Sequence, residues 1–188
     1  MRNDDAYAGH PGAAPMGAGT ATANIAPLKQ LKDYKVASDD PDVRGWDIVA
    51  RDGRKIGDVH DLLVDTSAMR VRYLDVELDR NLLTGAPAVP GMAHTGMTGD
   101  HRHVLVPIGT ARLDEDHDRI YVDSLDSDDV AVLPPYDHTA FSREYETGVR
   151  QRWDHNYTPA PDRDFYAGDI YDQERFYGPR RKKRGLFR

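Results

Sequence analysis

The chain has 188 residues and a mass of 21.1 kDa, which fits one domain of ordinary size with tails and argues against two full domains. It contains no cysteine, so disulfides, thiolate zinc sites, iron–sulfur clusters and cysteine nucleophiles are excluded. The net charge of −7 is unevenly distributed, because residues 178–188 hold six basic and no acidic side chains, which leaves −13 for the preceding residues. The sequence has neither a run of about 18 apolar residues nor an apolar signal core at its start. We therefore expect a cytoplasmic protein and leave open a position at the surface of the inner membrane.

Residues 1–27 predict a disordered arm. From His10 to Pro27 the residues are mostly Gly, Ala, Pro and Thr, and almost none has a large apolar side chain. Such a segment buries too little apolar surface to offset the entropy lost when its backbone is ordered. We therefore place the start of the folded unit at Leu28.

Residues 28–136 predict a small all-β unit, because short aliphatic clusters alternate with turn signals at intervals of about ten residues. The six predicted strands are 43–51, 55–64, 70–78, 103–108, 110–113 and 119–125. Asp52-Gly53 predicts a hairpin turn, since Gly accepts positive φ, and residues 80–102 predict a long excursion between strands. Six short strands hide their edges by closing on themselves, so we predict a six-stranded β-barrel.

The predicted core follows the alternation within these strands, which places every second side chain on one face. Its members are Trp46, Ile48, Leu62, Leu74, Val76, Val104, Val106 and Val122. Asp58, Asp61 and Asp65 lie on or beside the second strand. We interpret them as part of a solvated acidic surface, with a cation site as the alternative, together with Asp114, Glu115, Asp116 and Asp118. The solvated surface is favoured because the spacing of a calcium-binding loop does not occur.

Residues 137–188 predict an extension that cannot form a core of its own, because it holds ten of the sixteen aromatic residues but few aliphatic ones. Phe141, Tyr145, Val149 and Trp153 recur every four residues, which predicts an apolar stripe on a helix that starts near Ser142. The stripe either packs against the chain's own barrel or binds a partner, namely another protein or a second copy of this chain. As a functional hypothesis we assign these four residues to partner binding.

The chain ends in a basic segment that opposes the acidic body. Its cationic residues are Arg180, Arg181, Lys182, Lys183, Arg184 and Arg188. A local cationic patch on an acidic protein favours polyanions, so we predict contact with an anionic membrane surface or with RNA, and a merely solubilising tail is the alternative. No specific recognition of DNA is predicted. Gly178-Pro179 predicts that the patch lies outside any helix.

Three histidines offer a metal hypothesis. His101 and His103 occupy alternate strand positions and point to one side, and His94 lies nearby. No third ligand is fixed by the spacing, so we predict that the protein has no metal site and needs no cofactor. The sequence strings of phosphate-binding loops, nucleophile elbows and zinc proteases do not occur, so we predict that the protein is not an enzyme and has no catalytic residues.

The order of the strand and turn motifs resembles the PRC-barrel family. The residues that carry the resemblance are Gly45-Trp46-Asp47-Ile48-Val49, Asp52-Gly53-Arg54-Lys55-Ile56-Gly57, Val59-His60-Asp61-Leu62-Leu63-Val64-Asp65, Arg70-Val71-Arg72-Tyr73-Leu74, Val104-Leu105-Val106-Pro107-Ile108 and Ile120-Tyr121-Val122. The family includes the cytoplasmic domain of the photosynthetic reaction-centre H subunit and the C-terminal domain of a ribosome maturation factor. The resemblance covers about residues 28–136 and leaves both tails unmatched.

This resemblance implies a small β-barrel that acts as a docking module. The reaction-centre domain sits against membrane subunits, and the maturation factor contacts a ribosomal protein. The implied function is a non-enzymatic adaptor for a protein partner, to which the charge of the basic tail adds the predicted contact with a membrane surface. An RNA- or ribosome-associated factor is the alternative.

Overall fold

A computed structural model describes residues 24–83, 97–98, 101–139, 141–158 and 164–185. Within these residues, eight strands form one sheet and three α-helices lie outside it. The strands are β1 (Ile25–Pro27), β2 (Asp47–Ala50), β3 (Lys55–Asp65), β4 (Arg70–Leu78), β5 (Met97–Thr98), β6 (His101–Pro107), β7 (Arg112–Asp114) and β8 (Arg119–Val122). The helices are α1 (Arg80–Leu83), α2 (Arg143–Trp153) and α3 (Gln173–Gly185).

The strands follow the order β5-β6-β4-β3-β2-β8-β7, and β1 pairs with one end of β3. Neighbouring strands are antiparallel, except that β2 and β8 run parallel. With eleven residues, β3 pairs with β4 along one edge and with both β2 and β1 along the other. The pairing of β3 with β4 shifts register between Val59 and Asp61 and again between Leu63 and Val64. Such bulges bend the strand and increase its twist.

The prediction of a β-rich fold is confirmed, but the closed six-stranded barrel is not what the structure shows. All six predicted strands are present as β2, β3, β4, β6, β7 and β8, and β1 and β5 are added to them. These two strands have three and two residues, which is too short for an alternating pattern to reveal them. Among the described residues no strand pairing joins β7 to β5, so the sheet is open.

The predicted disordered arm needs a correction at its end, because residues 25–27 form β1. Ile25 is paired with Asp65 of β3, and the carbonyl of Asn24 accepts hydrogen bonds from the N–H and the hydroxyl of Thr66, at 2.9 and 3.0 Å. β3 extends beyond β2, so this part of its edge would otherwise present unpaired backbone groups. Residues 1–23, the rest of the predicted arm, lie outside the described residues.

The inner face of the sheet carries an aliphatic core, and seven of the eight predicted core residues lie in it. Their exposed fractions are 1 % or less: Ile48, Leu62, Leu74, Val76, Val104, Val106 and Val122. Trp46 is only half-buried and packs at the margin of this core.

The interpretation of the acidic residues of β3 as a solvated surface is wrong for two of them. Asp61 is fully buried, and Asp65 is 4 % exposed. Asp65 ends the strand and accepts hydrogen bonds from Ser67 and Ala68 in the following turn and from Arg72 on β4. Its carboxylate therefore closes the turn between β3 and β4, which a reading of charge alone does not reveal.

The helix predicted from the apolar stripe is confirmed as α2. It begins directly after Ser142, whose Oγ accepts a hydrogen bond from the N–H of Tyr145 at 3.3 Å. This is the side-chain cap that serine provides at a helix start. No helix in the described part of the chain combines the length and the apolar character needed to cross a bilayer.

The prediction that Gly178-Pro179 keeps the basic segment outside any helix is wrong. Helix α3 runs through both residues and ends at Gly185. Pro179 lacks an N–H and therefore leaves the carbonyl of Arg175 without its usual partner within the helix. The residues that follow are arginines and lysines, which are good helix formers, and Phe176 and Tyr177 hold the first turns of α3 in the core.

Candidate functional site

The outer face of the sheet is buried under a C-terminal cover, which we define as the described residues between 141 and 171. Leu63, Tyr73 and Leu105 on β3, β4 and β6 are each at most 2 % exposed on this face. Phe165 and Tyr171 of the cover pack with them in a second hydrophobic cluster. The middle of the sheet therefore has a core on both faces, one of them built by a segment that follows the sheet in the sequence.

The structure brings the four predicted partner-binding residues together on the chain's own sheet. Val149 is 1 % exposed, and Phe141 and Tyr145 pack around the ring of Tyr136. The indole N–H of Trp153 donates a hydrogen bond to the carbonyl of Leu105 at 3.2 Å. In the structure, the four residues of the stripe pack within the chain itself. Binding of a partner by these residues stays a prediction.

A buried carboxylate ties the cover to the sheet. Glu146 of α2 is fully buried and accepts hydrogen bonds from Tyr73 of β4 at 3.0 Å and from Tyr166 of the cover. Arg143 lies one turn earlier on α2 and donates to the same carboxylate at 2.8 Å. Burial raises the pKa of Glu146, while the bond from Tyr166 and the charge of Arg143 oppose that rise.

Aromatic rings surround the guanidinium groups near this carboxylate. Arg143 lies over the ring of Phe165 at 4.1 Å from its centroid, and Arg150 lies over Tyr157 at 4.2 Å. The guanidinium of Arg150 also donates to the carbonyl of Phe165. The ring contacts and hydrogen bonds of these two guanidinium groups hold the parts of the cover together, so the arrangement is suited to fixing the cover on the sheet.

The basic segment continues directly from a buried anchor. Phe176 and Tyr177 are 1 % and 2 % exposed and belong to the inner core, where the two rings meet edge to face at 4.8 Å. The backbone of residues 180–184 forms the second half of α3. Arg188, the last predicted polyanion-binding residue, lies outside the described residues.

A cluster of histidines and carboxylates occupies the exposed edge of the outer face, beside the cover. The side chains of His60, Glu77 and His103 come from β3, β4 and β6, and one potential ligand atom of each lies within 4.8 Å of the others. Nδ1 of His101 also donates a hydrogen bond to the carboxylate of Glu77, while Nδ1 of His103 lies 2.7 Å from the carboxylate of Asp75. The hydrogen bond to Asp75 raises the pKa of His103, against the opposing effect of burial.

The metal hypothesis of the sequence therefore contained one of these three possible ligands, His103, and a second residue, His101, that pairs with Glu77 beside them. His94 lies outside the described residues. His60 and Glu77 were missed, although the alternation of 70–78 does place Glu77 on the outer face, opposite His103. His60 could not be found from the alternation, because it lies at the bulge between Val59 and Asp61.

An apolar groove lies beside the start of α3. It has a volume of about 320 Å³, and Leu28, Val71 and Tyr177 contribute to its walls. Met69 at its rim is 71 % exposed. The N–H of Val71 on β4 donates a hydrogen bond to the side chain of Gln173 at the start of α3, at 3.0 Å. Both residues line the groove, which therefore lies where α3 packs against β4.

Comparison with known families identifies the sheet region of the chain. The family model described as the PRC-barrel domain matches residues 36–129, which is half of the chain. The match begins before β2 and ends in the 3-10 helix Ser127–Val132. It includes the histidine cluster and stops before the cover and the basic segment.

Proposed function

We propose a docking function from the premise that this chain belongs to the PRC-barrel family. The eight-stranded sheet with its inner core, which we call the sheet unit, is a non-enzymatic adaptor that binds a protein partner. The basic segment of α3 brings this adaptor to an anionic membrane surface. Membership of the family supports the docking role. The basic segment and the buried residues directly before it support the contact with a membrane.

The observation that carries the membrane contact is the position of the basic run directly behind a buried anchor. Only two residues separate Tyr177, which is 2 % exposed, from Arg180. Five consecutive basic residues follow within the same helix. Because the anchor is part of the core, the sheet unit must follow wherever these charges bind.

The acidic body supports one orientation at such a surface. Residues 1–177 carry −13 and residues 178–188 carry +6, so an anionic surface repels the body and attracts the end of the chain. This arrangement holds the sheet unit away from the lipid headgroups. It leaves the groove beside α3, with Met69 at its rim, accessible to a protein partner.

Membrane binding is favoured over RNA binding by the residues that follow the basic run. Leu186 and Phe187 stand between Arg184 and Arg188 in the sequence. Apolar residues among basic ones gain free energy by entering the boundary between headgroups and acyl chains, in addition to the attraction between charges. RNA offers the charges without this apolar boundary.

The test is binding of the full chain to vesicles of neutral phosphatidylcholine with and without about a third of anionic phosphatidylglycerol. A variant with Arg181, Lys182 and Lys183 changed to Gln is compared with a matched variant in which exposed Lys32, Lys35 and Arg70 are changed to Gln. Each basic residue near an anionic membrane contributes about 1 kcal/mol before screening. We therefore expect the first variant to lose about 10- to 100-fold in binding and the second to keep it.

Three outcomes oppose the proposal. Equal losses in both variants would mean that net charge, and not the basic segment, governs binding. Binding that is equally strong to neutral vesicles would remove the electrostatic contact. Tight, salt-sensitive binding of a single-stranded RNA by a chain that ignores anionic vesicles would establish the RNA alternative instead.

A further inference from the structure

We propose that His60, Glu77 and His103 form a binding site for a divalent first-row transition-metal ion of the zinc type. The three residues lie on adjacent strands, and Glu77 and His103 are direct partners in the register of β4 and β6. Two imidazole nitrogens and one carboxylate oxygen are a ligand set that zinc accepts. Three protein ligands leave a fourth position for water or for a group from another molecule.

The third ligand, His60, lies at the bulge in β3. Val59 and Leu62 both face the inner core, although they are three positions apart, because the register shifts between Val59 and Asp61. A regular strand would turn positions 59 and 61 to the same face. In the bulged strand Asp61 pairs with Asp75 of the outer face, and His60 beside it lies on that face as well, where its ring meets that of His103 edge to face at 4.7 Å.

The distances are close to those that an ion needs. One ligand atom from each residue lies within 4.8 Å of the other two, and Nδ1 of His60 is 3.7 Å from Oε2 of Glu77. Tetrahedral zinc with bonds of about 2.0–2.1 Å separates its ligand atoms by about 3.4 Å. His60 is exposed and Glu77 is half-buried, so rotation of these two side chains suffices to close the set.

A buried carboxylate behind the site already orients one ligand. Asp75 is 4 % exposed, and its Oδ1 lies 2.7 Å from Nδ1 of His103. A proton held between these two atoms leaves Nε2 of His103 with its lone pair directed away from Asp75. The pairing of a carboxylate with the second nitrogen of a histidine ligand is the usual support of such sites, because it fixes the ring and strengthens the ligand.

Two cations compete with the ion for this cluster. Nζ of Lys29 donates to Nε2 of His60 at 2.7 Å, and the guanidinium of Arg80 lies 3.2 Å from Nε2 of His101. Both side chains are exposed, long and flexible, so they can move away from the cluster when an ion binds. His101 pairs with Glu77 and is assigned the role of positioning this carboxylate.

The test is titration of the full chain with Zn²⁺ by calorimetry, together with Co²⁺ as a spectroscopic substitute whose visible absorption reports tetrahedral coordination. We expect one equivalent to bind with a dissociation constant in the low micromolar range or below. His60→Gln and His103→Gln should each weaken binding by more than about tenfold, and Asp75→Asn should weaken it by about 10- to 100-fold.

His117→Gln is the matched control, because His117 is exposed and pairs with Asp114, away from the cluster. It should bind Zn²⁺ like the unaltered chain. The proposal is overturned if the chain binds no single equivalent, if His60→Gln and Glu77→Gln both bind as tightly as the unaltered chain, or if His117→Gln loses as much as they do. His60 and Glu77 are at the surface edge, so these two variants keep the test valid even if His103→Gln does not fold.

Discussion

The two faces of the same three strands, β3, β4 and β6, are buried by different means. The inner face is aliphatic and is covered by the sheet itself and by the start of α3. The outer face is aromatic, lies under the C-terminal cover, and encloses the charged pair Arg143 and Glu146. Sequence alternation within a strand identifies the first face because most of its partners lie in other strands of the sheet. The second face depends on contacts such as that of Tyr73 with Tyr171, which are 98 residues apart.

This difference determines how each face responds to mutation. The free energy gained by burying aliphatic side chains is roughly proportional to the apolar area removed from water. It needs no specific partner. A buried ion pair is stable only while both partners and their hydrogen bonds are present, because each charge alone carries the cost of desolvation. The inner face should therefore lose stability gradually with each truncated side chain, whereas the outer face should fail when one charged partner is removed.

The largest effect should come from ending the chain after Tyr136. The sequence predicts that residues 28–136 fold alone, but the structure packs five large side chains from beyond that point: Val149, Phe165, Tyr171, Phe176 and Tyr177. Burial of each contributes about 1.5–3 kcal/mol, and their sum is comparable with the whole stability of a domain. We expect the shortened chain to lose cooperative urea unfolding, monitored by tryptophan fluorescence of Trp46. A melting temperature equal to that of the full chain would mean that the cover is dispensable.

Removal of the buried carboxylate should have the next largest effect. Glu146→Ala removes the carboxylate that the buried guanidinium of Arg143 contacts at 2.8 Å, which we expect to cost about 3–5 kcal/mol in the free energy of unfolding. Gln151→Ala, at an exposed position of the same helix, should change stability by less than about 0.5 kcal/mol. Similar small values for both substitutions, measured by denaturant titration, would contradict a tightly packed cover.

Truncation of one leucine on each face sharpens the comparison. Leu74 on the inner face and Leu105 on the outer face are 0 % and 2 % exposed. Replacement of either by Ala should cost about 2–5 kcal/mol, because a buried leucine leaves a cavity. If Leu105→Ala costs less than about 1 kcal/mol while Leu74→Ala is costly, the cover closes over the outer face only loosely.

Smaller effects are expected from two glycines. A Cβ at Gly109 would lie 2.1 Å from the carbonyl oxygen of Asp169, where the cover meets the sheet unit, so Gly109→Ala should cost about 1–3 kcal/mol. Gly148 of α2 has open space around it, and Gly148→Ala should stabilise the helix by about 0.5–1 kcal/mol. Thermal melting of the two variants should therefore shift in opposite directions, and a shift in the same direction would mean that the cover does not pack tightly on Gly109.

The sequence is sufficient for six of the eight described strands, for the aliphatic part of the inner core and for helix α2, because each depends on local patterns. The seven buried aliphatic residues follow alternation, and Ser142 marks the start of α2 as a helix cap. The sequence is insufficient where two distant parts must be combined. It does not show that Glu146 accepts a hydrogen bond from Tyr73. It also does not show that His60, at the bulge in β3, lies beside Glu77 and His103 of two other strands. The charge of Asp61 and Asp65 led to the wrong prediction that they are exposed. Both are buried, and their carboxylates accept hydrogen bonds that the composition does not reveal.

The central claim is that the C-terminal part of the chain has two roles, with 141–158 and 164–177 fixed to the sheet unit and residues 178–188 available to an anionic surface. Amide hydrogen exchange of the full chain, with and without vesicles that contain anionic lipid, measures both roles at once. We predict that the vesicles slow exchange in peptides from 178–188 and leave α2 and β4 unchanged, because the ends of helices open readily while packed elements do not. Unchanged exchange in 178–188, or faster exchange in α2 and β4 as the cover detaches, would contradict this account.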